Sequence, residues 1–281
     1  MGEVIRPEPF MLPDEVGGQR FCVLNRPPNG RPARAAILHV AAFGEEMNLS
    51  RRAVATAARA MANAGAAVLQ ADLLGCGDSS GDLDSADWQS WQADQRRAAA
   101  WLRQAHPGVP LWLWAERAGA VLACSALGPD LRAENLLLWQ PMLGGQDIHR
   151  HWLRQQAATA LAGGQAGGPA MAAARQAWAA GETVVIAGYP VSPALARDSA
   201  DLGLAPPAGQ PPGRLVWLDV NPRPRAEPAP AQQVLMESWQ AAGWAVEHEC
   251  MEGPAFWQGP DSWDAPALAA RSALALQGPK A

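Results

Sequence analysis

Apolar residues along the chain form short continuous runs that alternate with longer segments of helical periodicity. The runs at 35–40, 66–71 and 111–114 contain few polar residues, which is typical of strands buried on both faces. Segment 86–104 instead carries its tryptophans at helical spacing. Such alternation predicts a parallel sheet covered by helices on both faces. Further strands are predicted at 20–24, 135–140, 214–220 and 245–251, and further helices at 118–128, 230–242 and 266–276.

Two features refine this pattern. A helix that Asn48 or Ser50 would cap is predicted to end near Asn63. The alternation then stops between residues 147 and 205, an alanine-rich segment of helical character that glycine pairs interrupt. We interpret 147–205 as a helical cap inserted into one α/β domain, whose two parts are residues 1–146 and 206–281.

Composition excludes several classes of protein. The chain has 281 residues, 49% of them hydrophobic and 17% charged, which is typical of a globular domain. A net charge of −5 gives no electrostatic reason to expect nucleic acid or an anionic membrane as a partner. No apolar run is long enough for a membrane span, and residues 1–10 do not resemble a signal peptide. The four cysteines lack metal-ligand spacing, so we expect reduced thiols, no metal, no cofactor and a cytoplasmic location.

The segment 111–123 combines a buried strand, a sharp turn and a helix of small residues. It resembles the G-x-S-x-G nucleophile elbow of α/β-hydrolases, with Ala115, Glu116, Arg117, Ala118 and Gly119 at those positions. An arginine therefore stands where that family has its serine. The guanidinium is always protonated and has no lone pair with which to attack a substrate.

Over residues 20–278 the order of elements resembles the α/β-hydrolase fold, with a mostly parallel central sheet, helices on both faces and a helical cap. The chain is similar to one subgroup, the second hydrolase-like protein encoded with bacterial exosortase A systems. The segments that carry these similarities are 43–52, 72–81, 115–119, 139–141, 187–190 and 253–257. The resemblance implies a setting of exopolysaccharide genes and of proteins sorted by a PEP-type C-terminal signal, and a protein partner from such a system.

A serine hydrolase of this fold also needs an acid and then a histidine after its last strands. Asp219 or Glu227 could supply the acid, but 253–257 contains no histidine. His248 precedes that segment, and we expect its side chain to pack along the sheet. The sequence therefore predicts that Ser-His-Asp hydrolysis is lost, and Asp219, Glu227 and His39 remain as candidates for acid–base work by another mechanism.

The remaining histidines add little to this prediction. His149 and His151 open the cap and are interpreted as solvated surface residues.

Two hypotheses remain for Arg117. It could fill the former active site and pair with Glu45 or Glu46, since an unpaired buried arginine is costly. It could instead bind an anionic group beside the N-terminus of the helix that starts at Ala118. The two hypotheses are compatible if Glu45 or Glu46 releases Arg117 when the ligand enters.

The expected binding site also includes two backbone positions and an aromatic wall. Phe43 and Ala118 stand where the oxyanion-hole N–H groups of the family lie, and Trp257 is expected to line the pocket. We expect a small ligand that is anionic or contains an acyl or sugar group, or a protein partner. The alternatives are an active esterase- or thioesterase-like hydrolase of non-standard mechanism and a purely structural accessory.

Overall fold

The computed structural model describes residues 4–14, 17–259 and 263–277. In chain order the elements are β1 (Glu8–Pro13), β2 (Gln19–Asn25), β3 (Ala35–Val40), α1 (Glu45–Asn63), β4 (Ala66–Ala71), α2 (Trp88–Ala105), β5 (Leu111–Glu116), α3 (Ala118–Ala126), β6 (Asn135–Trp139), α4 (Gly145–Ala162), α5 (Gly167–Ala179), β7 (Val184–Ile186), β8 (Tyr189–Val191), α6 (Pro193–Ser199), β9 (Arg214–Asn221), α7 (Pro230–Ala241), β10 (Ala245–Glu252) and α8 (Pro266–Ala275).

Within these ranges, eight strands form one sheet in the order β1-β2-β4-β3-β5-β6-β9-β10. β2 runs antiparallel to both of its neighbours, and the other recorded pairings in this sheet are parallel. All six residues of β3 and all six of β5 are buried, as expected for central strands covered on both faces. The predicted parallel sheet is therefore confirmed.

Successive residues of β5 pack into two different cores. Trp112 and Trp114 face the layer that α1 and α8 form, whereas Leu111 and Leu113 face the layer of α2, α3 and α7. The ring of Trp114 meets Trp139 of β6 edge-on, with 4.7 Å between the ring centroids. Large apolar side chains on both faces thus hold β5, and with it the turn that follows it, in place.

The start of α1 differs from the prediction. The helix begins at Glu45, after Gly44 with φ 58° and ψ −130°, a conformation that favours glycine. Asn48 and Ser50 therefore lie inside the helix and do not cap it. Ser50 is buried, and its hydroxyl donates to the carbonyl of Glu46. A glycine turn replaced the side-chain cap that the sequence suggested.

The segment between β6 and β9 is not purely helical. After α4 and α5 it contains a hairpin of β7 and β8, whose connection Ala187-Gly188 has positive φ at both residues. Positive φ at both central positions is the geometry of a tight hairpin, and alanine there gives no sequence signal. β1 was also not predicted, because this edge strand contains prolines and is mostly exposed.

Among the described residues, the structure has no helix that is both long and apolar enough to cross a membrane.

Candidate functional site

The turn between β5 and α3 has elbow geometry without a serine. Arg117 has φ 52° and ψ −126°, a region that a non-glycine residue occupies at a cost of about 1–3 kcal/mol. Gly119 makes the turn possible, because a Cβ there would lie 2.3 Å from the carbonyl oxygen of Ala41. The backbone therefore presents Arg117 at the carboxyl edge of the sheet.

The guanidinium of Arg117 has three kinds of partner. Its Nε and Nη2 lie 3.1 and 3.0 Å from Oε1 of Glu46, and its Nη1 donates to the carbonyl of Gln140 at 3.1 Å. The ring of Trp257 lies 4.8 Å from the guanidinium carbon, within range of a cation–π contact. The side chain of Arg117 is 15% exposed and that of Glu46 is 5% exposed, so the pair is largely shielded from water.

His151 of α4 joins this pair from the cap, with Nε2 3.5 Å from Oε1 of Glu46. Burial lowers the pKa of His151, so the imidazole is neutral at pH 7. The prediction that His149 and His151 are solvated surface residues is wrong. His149 is bonded to the carbonyl of Ala196 at 2.7 Å, and His151, 27% exposed, faces Glu46. Helix packing in the cap turns both rings inward.

Glu45 has a different partner from its neighbour. It accepts a hydrogen bond from the hydroxyl of Tyr189 at 3.1 Å, and that hydroxyl also contacts the amide of Asn48. Tyr189 begins β8, so these bonds join the cap hairpin to the first turns of α1. Of the two acids considered as partners for Arg117, Glu46 forms the ion pair. Glu45 instead forms a hydrogen bond with Tyr189 of the cap.

A small, mostly apolar slot of about 30 Å³ is lined by Phe43 and Trp91 of the sheet domain and by residues of the cap. Phe43 packs against Trp88 and Trp91 of α2. Ile186 and Leu195 of the cap line the other side. The slot can hold an apolar chain only if the side chains of the cap give way.

Ala118 is the first residue of α3, so its N–H has no acceptor within the helix. The loop that carries Phe43 is held against the elbow, since Gly119 packs on the carbonyl of Ala41. The two backbone positions expected to supply N–H donors therefore belong to adjoining segments. The ring of Trp257 lies against the guanidinium of Arg117.

The candidate acid Asp219 does have a histidine partner. Its Oδ2 lies 2.9 Å from Nε2 of His248, and it also accepts hydrogen bonds from Trp217 and Gln232. The expectation that His248 merely packs along the sheet is therefore wrong. The reason is the register, which places Cys250 of β10 beside Asp219 and brings His248 within diagonal reach.

A polar pocket of about 240 Å³ surrounds this acid–histidine pair, and Glu227 and Arg225 also line it. Gln140, whose carbonyl holds Arg117, lines the same pocket and accepts a hydrogen bond from the N–H of Val220. Gln140 thus contacts Arg117 of the Arg117–Glu46 pair and lines the pocket of the Asp219–His248 pair.

His39 and Glu116 form a third polar group, on the side of the sheet that α1 covers. Nε2 of His39 lies 3.8 Å from Oε1 of Glu116, which accepts hydrogen bonds from Ser50 and from the N–H of Ala42. Burial lowers the pKa of His39 to about 3 and raises the pKa of Glu116 to about 7. Glu116 was not predicted as a site residue, although an acid directly after an apolar strand was a visible signal.

The sheet order, the antiparallel second strand, the inserted cap and the elbow define the α/β-hydrolase fold. Within that class, the model of the family described as serine aminopeptidase, S33, matches residues 31–165, just under half of the chain. The protein is accordingly α/β-hydrolase-like. The comparison with curated protein sequences gives no match.

Solved structures of low identity share this fold. Est1E from Butyrivibrio proteoclasticus, bound to ferulic acid, is 12% identical over 95% of this chain and 97% of its own, with a TM-score of 0.65. XC6422 from Xanthomonas campestris, an α/β serine hydrolase without a lid, is 17% identical over 97% and 92%, with a TM-score of 0.56. A serine hydrolase homologue from Coxiella burnetii is 14% identical over 98% and 97%, with a TM-score of 0.55.

Proposed function

We propose that this protein is a cytoplasmic, non-hydrolytic α/β-hydrolase-like protein of a bacterial exosortase A and exopolysaccharide-associated system, where it binds a small acyl- or sugar-containing ligand or a partner protein. The observation that carries the loss of hydrolysis is Arg117, which occupies the elbow and is held there by Glu46. The setting in an exosortase system rests on the segment similarities at 43–52, 72–81 and 253–257.

Other hydroxyl groups near the elbow already have structural partners. Oγ of Ser50 lies 2.8 Å from both the carbonyl of Glu46 and Oε1 of Glu116, and Ser125 donates to the carbonyl of Leu122 while it accepts from Trp88. Ser79 donates to the carbonyl of Asp72. A nucleophile must reach the substrate and have a base that takes its proton. None of these hydroxyls is bonded to a histidine, and Ser50, which contacts the carboxyl of Glu116, is fully buried.

The charge of the site favours a neutral acceptor atom in the ligand. A guanidinium has five N–H groups, and three of those of Arg117 are used by Glu46 and Gln140. The other two can donate to a carbonyl or hydroxyl oxygen. A full anion would also meet the carboxylate of Glu46, so an anionic ligand binds here only when Glu46 turns away from Arg117.

The loss of hydrolysis is tested with 4-nitrophenyl acetate and 4-nitrophenyl octanoate. We expect no release of nitrophenol above the buffer rate from the wild type or from Arg117→Ser, because segment 253–257, where this fold carries its catalytic histidine, contains none. Turnover by the wild type that Arg117→Ala abolishes would contradict the proposal. Arg26→Ala, which removes an exposed pair with Glu8, is the matched control.

Ligand binding is tested by calorimetric titration with octanoyl-pantetheine, octanoate and glucose. We expect the thioester or the sugar to bind the wild type about tenfold more tightly than Arg117→Gln, which is the loss of about one hydrogen bond to a charged group. Equal affinities for both proteins would exclude Arg117 from the site. For the cellular setting, the flanking genes are sequenced, and we expect genes for an exosortase and for exopolysaccharide assembly.

An active hydrolase of non-standard mechanism is the second candidate, and the Asp219–His248 hydrogen bond favours it, since such a pair can move protons. If the wild type cleaves either nitrophenyl ester, the variants Asp219→Asn and His248→Gln distinguish the mechanisms. A loss of about a hundredfold in both would assign the acid–base work to this pair. Unchanged activity in both would exclude it.

A further inference from the structure

A cavity of about 230 Å³ lies under α1, separate from the space around Arg117. His39, Gln70 and Glu116, near the carboxyl ends of three parallel strands, form its inner wall, and Val23 of β2 and Val54 of α1 form apolar sides. This volume is smaller than the roughly 300–1,000 Å³ of pockets that hold drug-sized molecules. It therefore suits a small ligand with one apolar side.

Two polar atoms of the inner wall are buried without a partner. Nε2 of His39 and Oε2 of Glu116 make no hydrogen bond, although His39 is 6% exposed and Glu116 is 1% exposed. Native proteins satisfy nearly all buried polar atoms, so an unsatisfied pair that lines a cavity points to a ligand group that can form hydrogen bonds with both. A neutral imidazole nitrogen accepts a hydrogen bond, and a carboxyl oxygen can accept or donate one.

Besides His39 and Glu116, the charged side chains that line the cavity are two arginines and Asp72. Arg51 and Arg59 of α1 both line it and lie two helical turns apart. Arg51 is 4.0 Å from a carboxylate oxygen of Asp72, whereas no acidic side chain in the described part of the chain pairs with Arg59. An arginine beside a cavity opening, with free N–H groups, is suited to a carboxylate.

We propose that this cavity binds a small hydroxy carboxylic acid, with its carboxylate at Arg59 and Arg51 and its hydroxyl bonded to His39 and Glu116. The apolar body of the acid lies between Val23 and Val54. The inference goes beyond the function proposed for Arg117, because Arg117 does not line the cavity.

The probes are 4-hydroxybenzoate, 4-hydroxyphenylacetate and 6-hydroxyhexanoate, titrated into the full-length protein by calorimetry. We expect at least one of them to bind saturably and about tenfold more tightly than its analogue without the hydroxyl or without the carboxylate, such as benzoate or 4-hydroxybenzyl alcohol. No saturable binding of any of the three overturns the proposal. Equal binding of the truncated analogues also overturns it.

Variants locate the bound acid. Arg59→Gln and Glu116→Gln are each expected to weaken binding about tenfold, whereas Arg52→Gln, an exposed arginine on the same helix that does not line the cavity, is expected to have no effect. If Glu116→Gln does not fold, Ala55→Phe fills the cavity from α1 and should abolish binding. Binding that survives Ala55→Phe in the folded protein places the acid elsewhere and contradicts the inference.

Discussion

Glu116 and Arg117 are adjacent in the chain, yet Arg117 is charged and paired whereas Glu116 is buried without an ion pair. The guanidinium of Arg117 meets a carboxylate, a carbonyl and an aromatic ring. Glu116 points under α1, where one of its oxygens has no hydrogen-bond partner. Burial raises the pKa of Glu116 to about 7, so its carboxyl group can stay protonated where Arg117 must stay charged.

The difference shows two solutions to the burial of a charge. Arg117 cannot lose its proton, so the fold must supply a counter-charge, and Glu46 is that residue. Glu116 can become neutral and needs no ion pair. The Arg117–Glu46 pair fills a site with protein atoms. Glu116, by contrast, leaves an oxygen free to form a hydrogen bond beside a cavity.

The largest expected effect comes from removal of the elbow charge. Arg117→Ala should destabilise the protein by about 4 kcal/mol, because it leaves the buried carboxylate of Glu46 without its partner. Urea unfolding measures this loss. Arg26→Ala is the control, since its pair with Glu8 is exposed and should contribute less than about 1 kcal/mol.

A second comparison separates charge from backbone strain at the same position. Arg117→Gly should be about 1 kcal/mol more stable than Arg117→Ala, because only the glycine variant is relaxed at φ 52°. Equal losses in the glycine and alanine variants would mean that the turn carries no strain. A loss in Arg117→Ala no larger than that of Arg26→Ala would mean that solvent screens the Glu46 pair.

Gly119→Ala is expected to cost about 3 kcal/mol, because its Cβ would meet backbone oxygens that cannot move without shifting the loop after β3. Gly128→Ala is the matched control, since nothing lies within 4 Å of a Cβ there and its φ is not positive. Thermal unfolding of the two variants measures the difference. A similar, small effect in both would contradict the close contact between the elbow and Ala41.

The pH dependence of stability tests Glu116. Its pKa rises from 4.5 to about 7 on folding, so the folded state holds a proton that the unfolded state releases between these values. Raising the pH from about 4.5 to about 6 should therefore lower the stability of the wild type by about 2 kcal/mol relative to Glu116→Gln.

The pH dependence of stability that His39 contributes has the opposite sign. It is common to the wild type and Glu116→Gln, so it cancels when the two are compared. Its pKa falls from 6.5 to about 3 on folding, so it destabilises the fold as the pH drops below 6.5. The wild type and Glu116→Gln both contain His39, and the difference between their urea midpoints isolates Glu116. A difference that does not change with pH would mean that Glu116 is solvated.

The sequence predicted the sheet well because its central strands are continuous apolar runs, which a parallel sheet buried on both faces requires. β1 was not predicted, because an exposed edge strand with prolines has no continuous apolar run. The hairpin of β7 and β8 was not predicted, because Ala187, with φ 48°, occupies a turn position where glycine or asparagine is the usual signal.

The site was harder to predict than the fold, since its contacts join residues far apart in the chain. Position 117 followed from the elbow motif, but the choice of Glu46 over Glu45 depends on where α1 begins, and Gly44 decides that. The Asp219–His248 bond depends on the register of β9 and β10. A chain segment by itself does not specify which side chains meet across a parallel sheet.

The smallest effect is expected where the cap meets α1. The hydroxyl of Tyr189 bonds Glu45 and Asn48, but the contact is open to water, which can replace both bonds. Tyr189→Phe should therefore change the free energy of unfolding by about 0.5 kcal/mol, while amide hydrogen exchange in the hairpin 184–191 becomes faster. Unchanged exchange would mean that packing alone holds the hairpin. A loss as large as that of Arg117→Ala would mean that the cap contact is as shielded as the elbow pair, and the contrast between an exposed and a buried polar contact would fail.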